Sequence, residues 1–150
     1  MWNSVKSVQL SLVCTKIVIL LVIVCAALMP HFIERYIDYA LIPIEITNLY
    51  PFMAILYVCC IPAMAALVCL HILLGNIKKE KVFIPGNVKL LRTISWCCFA
   101  AAFIMVFAVR YYLLLGLTAV AIAFIGLILR VVKNVIEQAV FIKTENDFTI

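Results

Sequence analysis

Apolar positions in this chain do not alternate with polar ones; they run on. Residues 10–29, 50–74 and 113–132 are long apolar runs, and a shorter one, 94–109, extends upstream to about residue 90. About 20 mostly apolar residues in a helix cross a hydrocarbon core of ~30 Å. The pattern therefore predicts four spans, 10–29 (ended by Pro30), 50–74, 90–109 and 113–132. Only Arg110, Tyr111 and Tyr112 separate the last two, which forces an antiparallel hairpin. A β-barrel would need ~10-residue strands of alternating polarity. Residues 17–29 and 113–129 show no such alternation and contain no charge, so helices are expected. The predicted fold class is an all-α membrane protein, a single domain over 1–150 with four transmembrane helices in an antiparallel bundle.

The fourth pattern does not stop at the membrane. Val131, Val132, Val135, Ile136, Ala139 and Val140 recur at helical spacing, with Arg130, Lys133, Asn134, Glu137 and Gln138 between them. This predicts an amphipathic cytoplasmic extension of helix four, lying on the membrane surface, packed on the middle loop, or docking a partner helix. With the tail it covers 133–150, and residues 143–150 read as a polar, frayed end. In the middle loop, Gly75 and Asn76 are expected to end the second helix. Pro85-Gly86 is expected to form a turn and Asn87 to cap the third helix.

Composition narrows the class further. At 68% hydrophobic and 13% charged residues, 150 residues could not hide their apolar surface in a soluble domain. Disordered, collagen-like and disulfide-scaffold classes are excluded as well. Charge then sets direction. Lys6, Lys16, Lys78, Lys79, Lys81, Lys89, Arg92, Arg130, Lys133 and Lys143 fall on one side, and only Arg35 and Arg110 on the other. By the positive-inside rule both termini and the middle loop are expected in the cytoplasm. The outer loop, with Glu34, Asp38 and Glu45, is mildly acidic. The first span also resembles a secretory signal, with small residues at Cys25-Ala26-Ala27, but an uncleaved span is expected.

Candidate chemistry is sparse. The seven cysteines (Cys14, Cys25, Cys59, Cys60, Cys69, Cys97, Cys98) include two vicinal pairs but no Cys-x-x-Cys, and all lie in predicted spans. Small apolar packing residues are the expectation, with no disulfide, and a thiol oxidoreductase ranks third among the functional readings. His31 and His71 fall at opposite ends of their spans and cannot clamp one metal or haem together. No acid lies within a span, which argues against proton-coupled transport. Lys16, the deepest charge, sits about 9 Å along the helix from Leu10 and can snorkel to the interface. Pro62 interrupts span two and marks either a kink lining a cavity or a tolerated membrane proline. No phosphate-cradling, zinc-protease or hydrolase-elbow motif is present, so no enzyme, metal or cofactor is expected. The basic middle loop carries one aromatic, Phe83, and needs no nucleic acid to explain its charge.

Two cytoplasmic stretches carry a family resemblance. Residues 76–83 with Asn87-Val88-Lys89-Leu90-Leu91-Arg92-Thr93-Ile94-Ser95-Trp96, and the ending 130–139 with Glu145-Asn146-Asp147-Phe148-Thr149-Ile150, resemble the YoaS-like bacterial membrane family, a DUF2975-like domain of unknown function. The resemblance implies a four-span protein of the bacterial cytoplasmic membrane. It brings no catalytic residues. Members are often encoded beside a small helix-turn-helix regulator.

The expectation is thus a non-enzymatic integral membrane protein that senses for, or sequesters, a cytoplasmic transcription regulator without touching nucleic acid itself. Phe83, Asn87, Arg92, Trp96, Arg130, Asn134 and Glu137 would form its docking surface. Glu137 returns to nearly the face of Arg130 after two turns and should meet Lys89, Arg92 or another loop cation. The alternative is a peptide-resistance or transport accessory with a cavity lined by Tyr57, Cys69 and His71. Lipid is the expected surroundings, and Ala100, Ala101 and Ala102 would suit helix packing within one chain or in a homo-oligomer.

Overall fold

In hydrocarbon no water competes for backbone groups, so each spanning segment must close its own N–H···O=C bonds, and a helix does so. The computed structural model describes residues 4–39, 49–111 and 113–148, and these form four helices and no strand. They are α1 (Ser4–Tyr39), α2 (Leu49–Lys78), α3 (Pro85–Ala108) and α4 (Leu114–Phe148). All four are long and apolar enough to cross a membrane. Glu45, Tyr112, Thr149 and Ile150 lie outside the described residues.

The helices exceed the apolar runs that announced them. Pro30 does not end α1, which continues to Tyr39. A proline removes only one helical hydrogen bond, and breaking the helix within an apolar phase would free several more. Pro62 is likewise carried inside α2. Gly75 and Asn76 do not terminate α2 either. Its end is a Schellman turn on Glu80, whose φ is 61°. The Glu80 amide donates to the Ile77 carbonyl at 3.0 Å and the Lys81 amide to the Asn76 carbonyl at 3.0 Å. Residues 143–148 continue α4 rather than fraying from it.

The helices stand in a row. α1 packs on α2, α2 on α3 and α3 on α4, while α1 and α4 do not meet among the described residues. Each neighbour runs antiparallel to the last, so the α1 start, the α2–α3 loop and the α4 end share one end, called here the basic end. The bundle is thereby open, with both outer helices presenting a face to the surroundings. Large apolar side chains point outward along it, among them Ile61 (70% exposed), Phe103 (66%) and Leu113 (84%). That inversion of the soluble pattern suits lipid as solvent. The core is narrow. Leu73, Leu91 and Ile94 are buried, with Leu129 and Ile136 of α4 packed against them. Farther along, Ala101, Ala102, Ala108 and Ala119 are buried at contacts small enough for backbones to approach.

Candidate functional site

The α3–α4 hairpin is closest where Gly126 faces α3. A Cβ at residue 126 would lie 3.1 Å from the Cys98 Cβ and 3.4 Å from the Ser95 carbonyl oxygen. Ser95, itself buried, donates its hydroxyl to the Gly126 carbonyl at 2.9 Å. This contact fixes the register of the two helices. The residues of the next one to three turns toward the basic end are then positioned by it.

There the polar residues of α3 and α4 converge. The Arg130 guanidinium lies 5.7 Å from the Trp96 ring centroid, within cation–π range. Phe99 meets the same indole edge-on at 6.2 Å between centroids. Two turns beyond Arg130, the Glu137 carboxylate bridges two helices. Its Oε2 accepts from Lys133 on its own helix, and its Oε1 lies 3.5 Å from Arg92 Nη2 on α3. Lys133 also donates to Asn134 Oδ1 at 3.1 Å, and its side chain is only 12% exposed. A shallow cavity of about 250 Å³ is lined by Arg92, Ser95, Trp96, Arg130 and Lys133. Glu137 lies beyond the roughly 20 residues of α4 that suffice to cross hydrocarbon. The Lys133 hydrogen bond holds its carboxyl below the ordinary carboxylate value; desolvation opposes this, and the charges of Lys133 and Arg92 assist it by smaller amounts. Arg92, Arg130 and Lys133 line the cavity, and Glu137 pairs with Arg92 and Lys133, so the cavity lining is positive and suited to an acidic partner surface.

Of the residues expected to form a docking surface, Arg92, Trp96, Arg130, Asn134 and Glu137 are brought together. Phe83 is separate and exposed on the loop. Asn87 is a correction. It neither caps α3, whose N-cap is Ile84 with Pro85 as the first helical residue, nor faces outward. Asn87 is 1% exposed, and its Nδ2 donates to the carbonyls of Lys81 and Val82 at 2.8 Å each. Its Oδ1 accepts from Asn76 Nδ2 at 2.8 Å. The residue staples the loop from within, positioning the start of α3.

Of Tyr57, Cys69 and His71, His71 lines one of the two cavities described. Tyr57 reaches α1, Cys69 packs on the core, and His71 lines a cleft between α1 and α2. The seven cysteines are free thiols. No group of three His, Cys, Asp or Glu among the described residues could hold a metal ion. Ser95 is the residue of the site that the sequence does not point to, whereas the Lys133–Glu137 pair follows from its i, i+4 spacing. In the sequence Ser95 is only a hydroxyl inside an apolar run, with nothing to say that Gly126 faces it.

No curated protein and no solved structure matches the chain. A family described as "Protein of unknown function (DUF2975)" matches residues 36–150, which include α2, the stapled loop, α3 and all of α4. With that match spanning most of its length and the whole of the Arg92–Glu137 site, the chain belongs to the DUF2975 family.

Proposed function

We propose that this chain is a non-catalytic, multi-pass protein of the bacterial cytoplasmic membrane that docks a cytoplasmic helix-turn-helix regulator on its basic end. The carrying observation is the Arg92–Glu137 ion pair, which ties the start of α3 to the part of α4 beyond its span. An exposed pair of this kind adds little stability, so its value lies in orientation. It holds Trp96, Arg130 and Asn134 on one surface where an acidic or amphipathic partner helix can lie. The ten-to-two bias of Lys and Arg supports placing that end in the cytoplasm. For a role in solute handling the structure offers the α1–α2 cleft, which His71 lines, while Tyr57 bonds to α1 and Cys69 packs on the core.

Co-purification with a regulator encoded beside the gene tests the reading. Recovery should fall at least tenfold when the chain is truncated after Val132, and comparably for the Arg92→Glu variant in a folded sample. Equal recovery from all three would count against docking at this surface.

A further inference from the structure

A second concavity at the basic end lies at the other side of the row, between α1 and α2. It is a cleft of about 620 Å³ whose polar lining is Gln9 and Lys16 of α1 with His71 and Lys78 of α2 and Lys79 just after it. Leu12 and Val13 form its apolar wall. Three features set it apart from an ordinary solvated surface. Lys16, which lies within the apolar run of α1 and needs only to snorkel outward, instead lines a cleft shared with two other ammonium groups. None of the three lysines is ion-paired among the described residues. His71 Nδ1 is buried without a hydrogen-bond partner among them. Positive charge has therefore been collected at the edge of the apolar zone and left uncompensated. Gly75 also lines the cleft, and a Cβ there would meet nothing within 4 Å, so the space is open at that point.

We infer that this cleft binds the phosphate headgroup of an anionic phospholipid. Ammonium groups are strong point-charge partners for a phosphodiester, the Gln9 amide adds hydrogen-bond donors, and the Leu12–Val13 wall accommodates the first acyl carbons. A basic recess between helices at the level of the headgroups has the charge and the placement such a lipid needs. The site shares no residue with the Arg92–Glu137 platform, so it stands or falls independently of regulator docking.

The full-length protein, purified in detergent and mixed with equal amounts of phosphatidylglycerol and phosphatidylcholine, is examined by native mass spectrometry. Phosphatidylglycerol should be retained preferentially. Each lysine near such a headgroup contributes about fivefold, so the K16Q/K78Q/K79Q variant should bind it roughly a hundredfold more weakly. Lys16→Arg should keep binding. Gly75→Phe should abolish it by filling the cleft, with helix content and monodispersity unchanged. Arg110→Gln, at the opposite end, should have no effect. Equal retention of the two lipids overturns the inference, as does undiminished phosphatidylglycerol binding by G75F. If the triple variant does not fold, G75F and Lys16→Arg decide the matter. Saturable binding of inorganic phosphate without lipid retention would identify a free anion as the ligand and overturn the lipid assignment.

Discussion

Tyr57 donates its hydroxyl to the Ala26 carbonyl at 3.1 Å, crossing from α2 to α1. In an unbroken helix the amide four residues on fills that acceptor, but residue 30 is proline and has none. Tyr57 therefore supplies the donor that Pro30 withholds. This explains how α1 passes through a proline in surroundings where an unsatisfied carbonyl is costly.

The relationship is testable as a cycle. Tyr57→Phe should lower stability by about 0.5–1.5 kcal/mol, the range of interhelical hydrogen bonds in membranes. Pro30→Ala restores an amide to residue 30, so the same tyrosine change should cost less than half as much in that background. Reversible unfolding in mixed micelles measures both. An equal cost in the two backgrounds would show that the hydroxyl does not serve the orphaned carbonyl.

Asn87 predicts an unusual order of substitution effects. Its amide nitrogen serves two carbonyls and its amide oxygen serves Asn76. Asn87→Ala leaves buried polar groups unpaired, at about 1–3 kcal/mol. Asn87→Asp preserves shape and the acceptor for Asn76 but turns carboxylate oxygen toward the Lys81 and Val82 carbonyls. The near-isosteric change should therefore be at least as destabilising as alanine at neutral pH, and milder in acid, where a protonated carboxyl recovers one donor. Thermal unfolding of the two variants at pH 7 and pH 4.5 reads the order. A benign aspartate at pH 7 would remove the staple from the account of the loop.

Helix existence was legible in the sequence because hydrocarbon leaves the backbone little choice, and four apolar runs of sufficient length declare it. Helix ends were not. Pro30 and Gly75 carry their usual stop signals, yet Tyr57 from another helix rescues the first and Glu80 takes over the second, both by contacts that local propensity does not contain. The open row of helices was equally hidden. In lipid the outward faces are as apolar as the inward ones, so no periodicity tells α1 that it meets only α2. A pairing of Glu137 with Lys89, Arg92 or another loop cation was accessible from two rules, the hairpin between α3 and α4 and the two-turn return from Arg130 to Glu137, and the fold selects Arg92. The polarity of Asn87 marks a role that its position alone misassigns, since its partners are loop carbonyls whose positions only the folded chain defines.

The charge distribution predicts an orientation that reporter fusions check directly. Reporter fusions after residue 148 should read cytoplasmic, and insertions at Thr47 external, because ten Lys and Arg residues lie on the first side and two on the other. Moving basic residues should shift the balance. Lys78→Gln, Lys79→Gln and Lys81→Gln together with added lysines at Thr47 should yield a detectable inverted population. A wild-type chain whose reporter at 148 is external would overturn both the orientation and the cytoplasmic docking surface that depends on it.

The final prediction separates the two partners of Glu137. Lys133, on the same helix, is the larger cause of its lowered pKa, and Arg92, on α3, contributes less. Lys133→Gln should therefore raise the Glu137 titration midpoint more than Arg92→Gln does, as followed by carboxyl carbon NMR in micelles. The mechanical roles should be the reverse. Only Arg92 crosses between helices, so Arg92→Gln should increase the distance spread between spin labels at Thr93 and Gln138, while Lys133→Gln leaves it nearly unchanged. The sign of the pH effect follows from the direction of the shift. Because the folded carboxyl titrates below the ordinary value of 4.5, the unfolded chain binds the extra proton first. The contribution of the pair is then complete above that ordinary value and disappears as pH falls through the depressed one. Label distances should accordingly hold constant from neutral pH down to about 4.5 and broaden only below it. Broadening that begins near pH 6.5, where histidines titrate, would show that a different group holds α4 against α3.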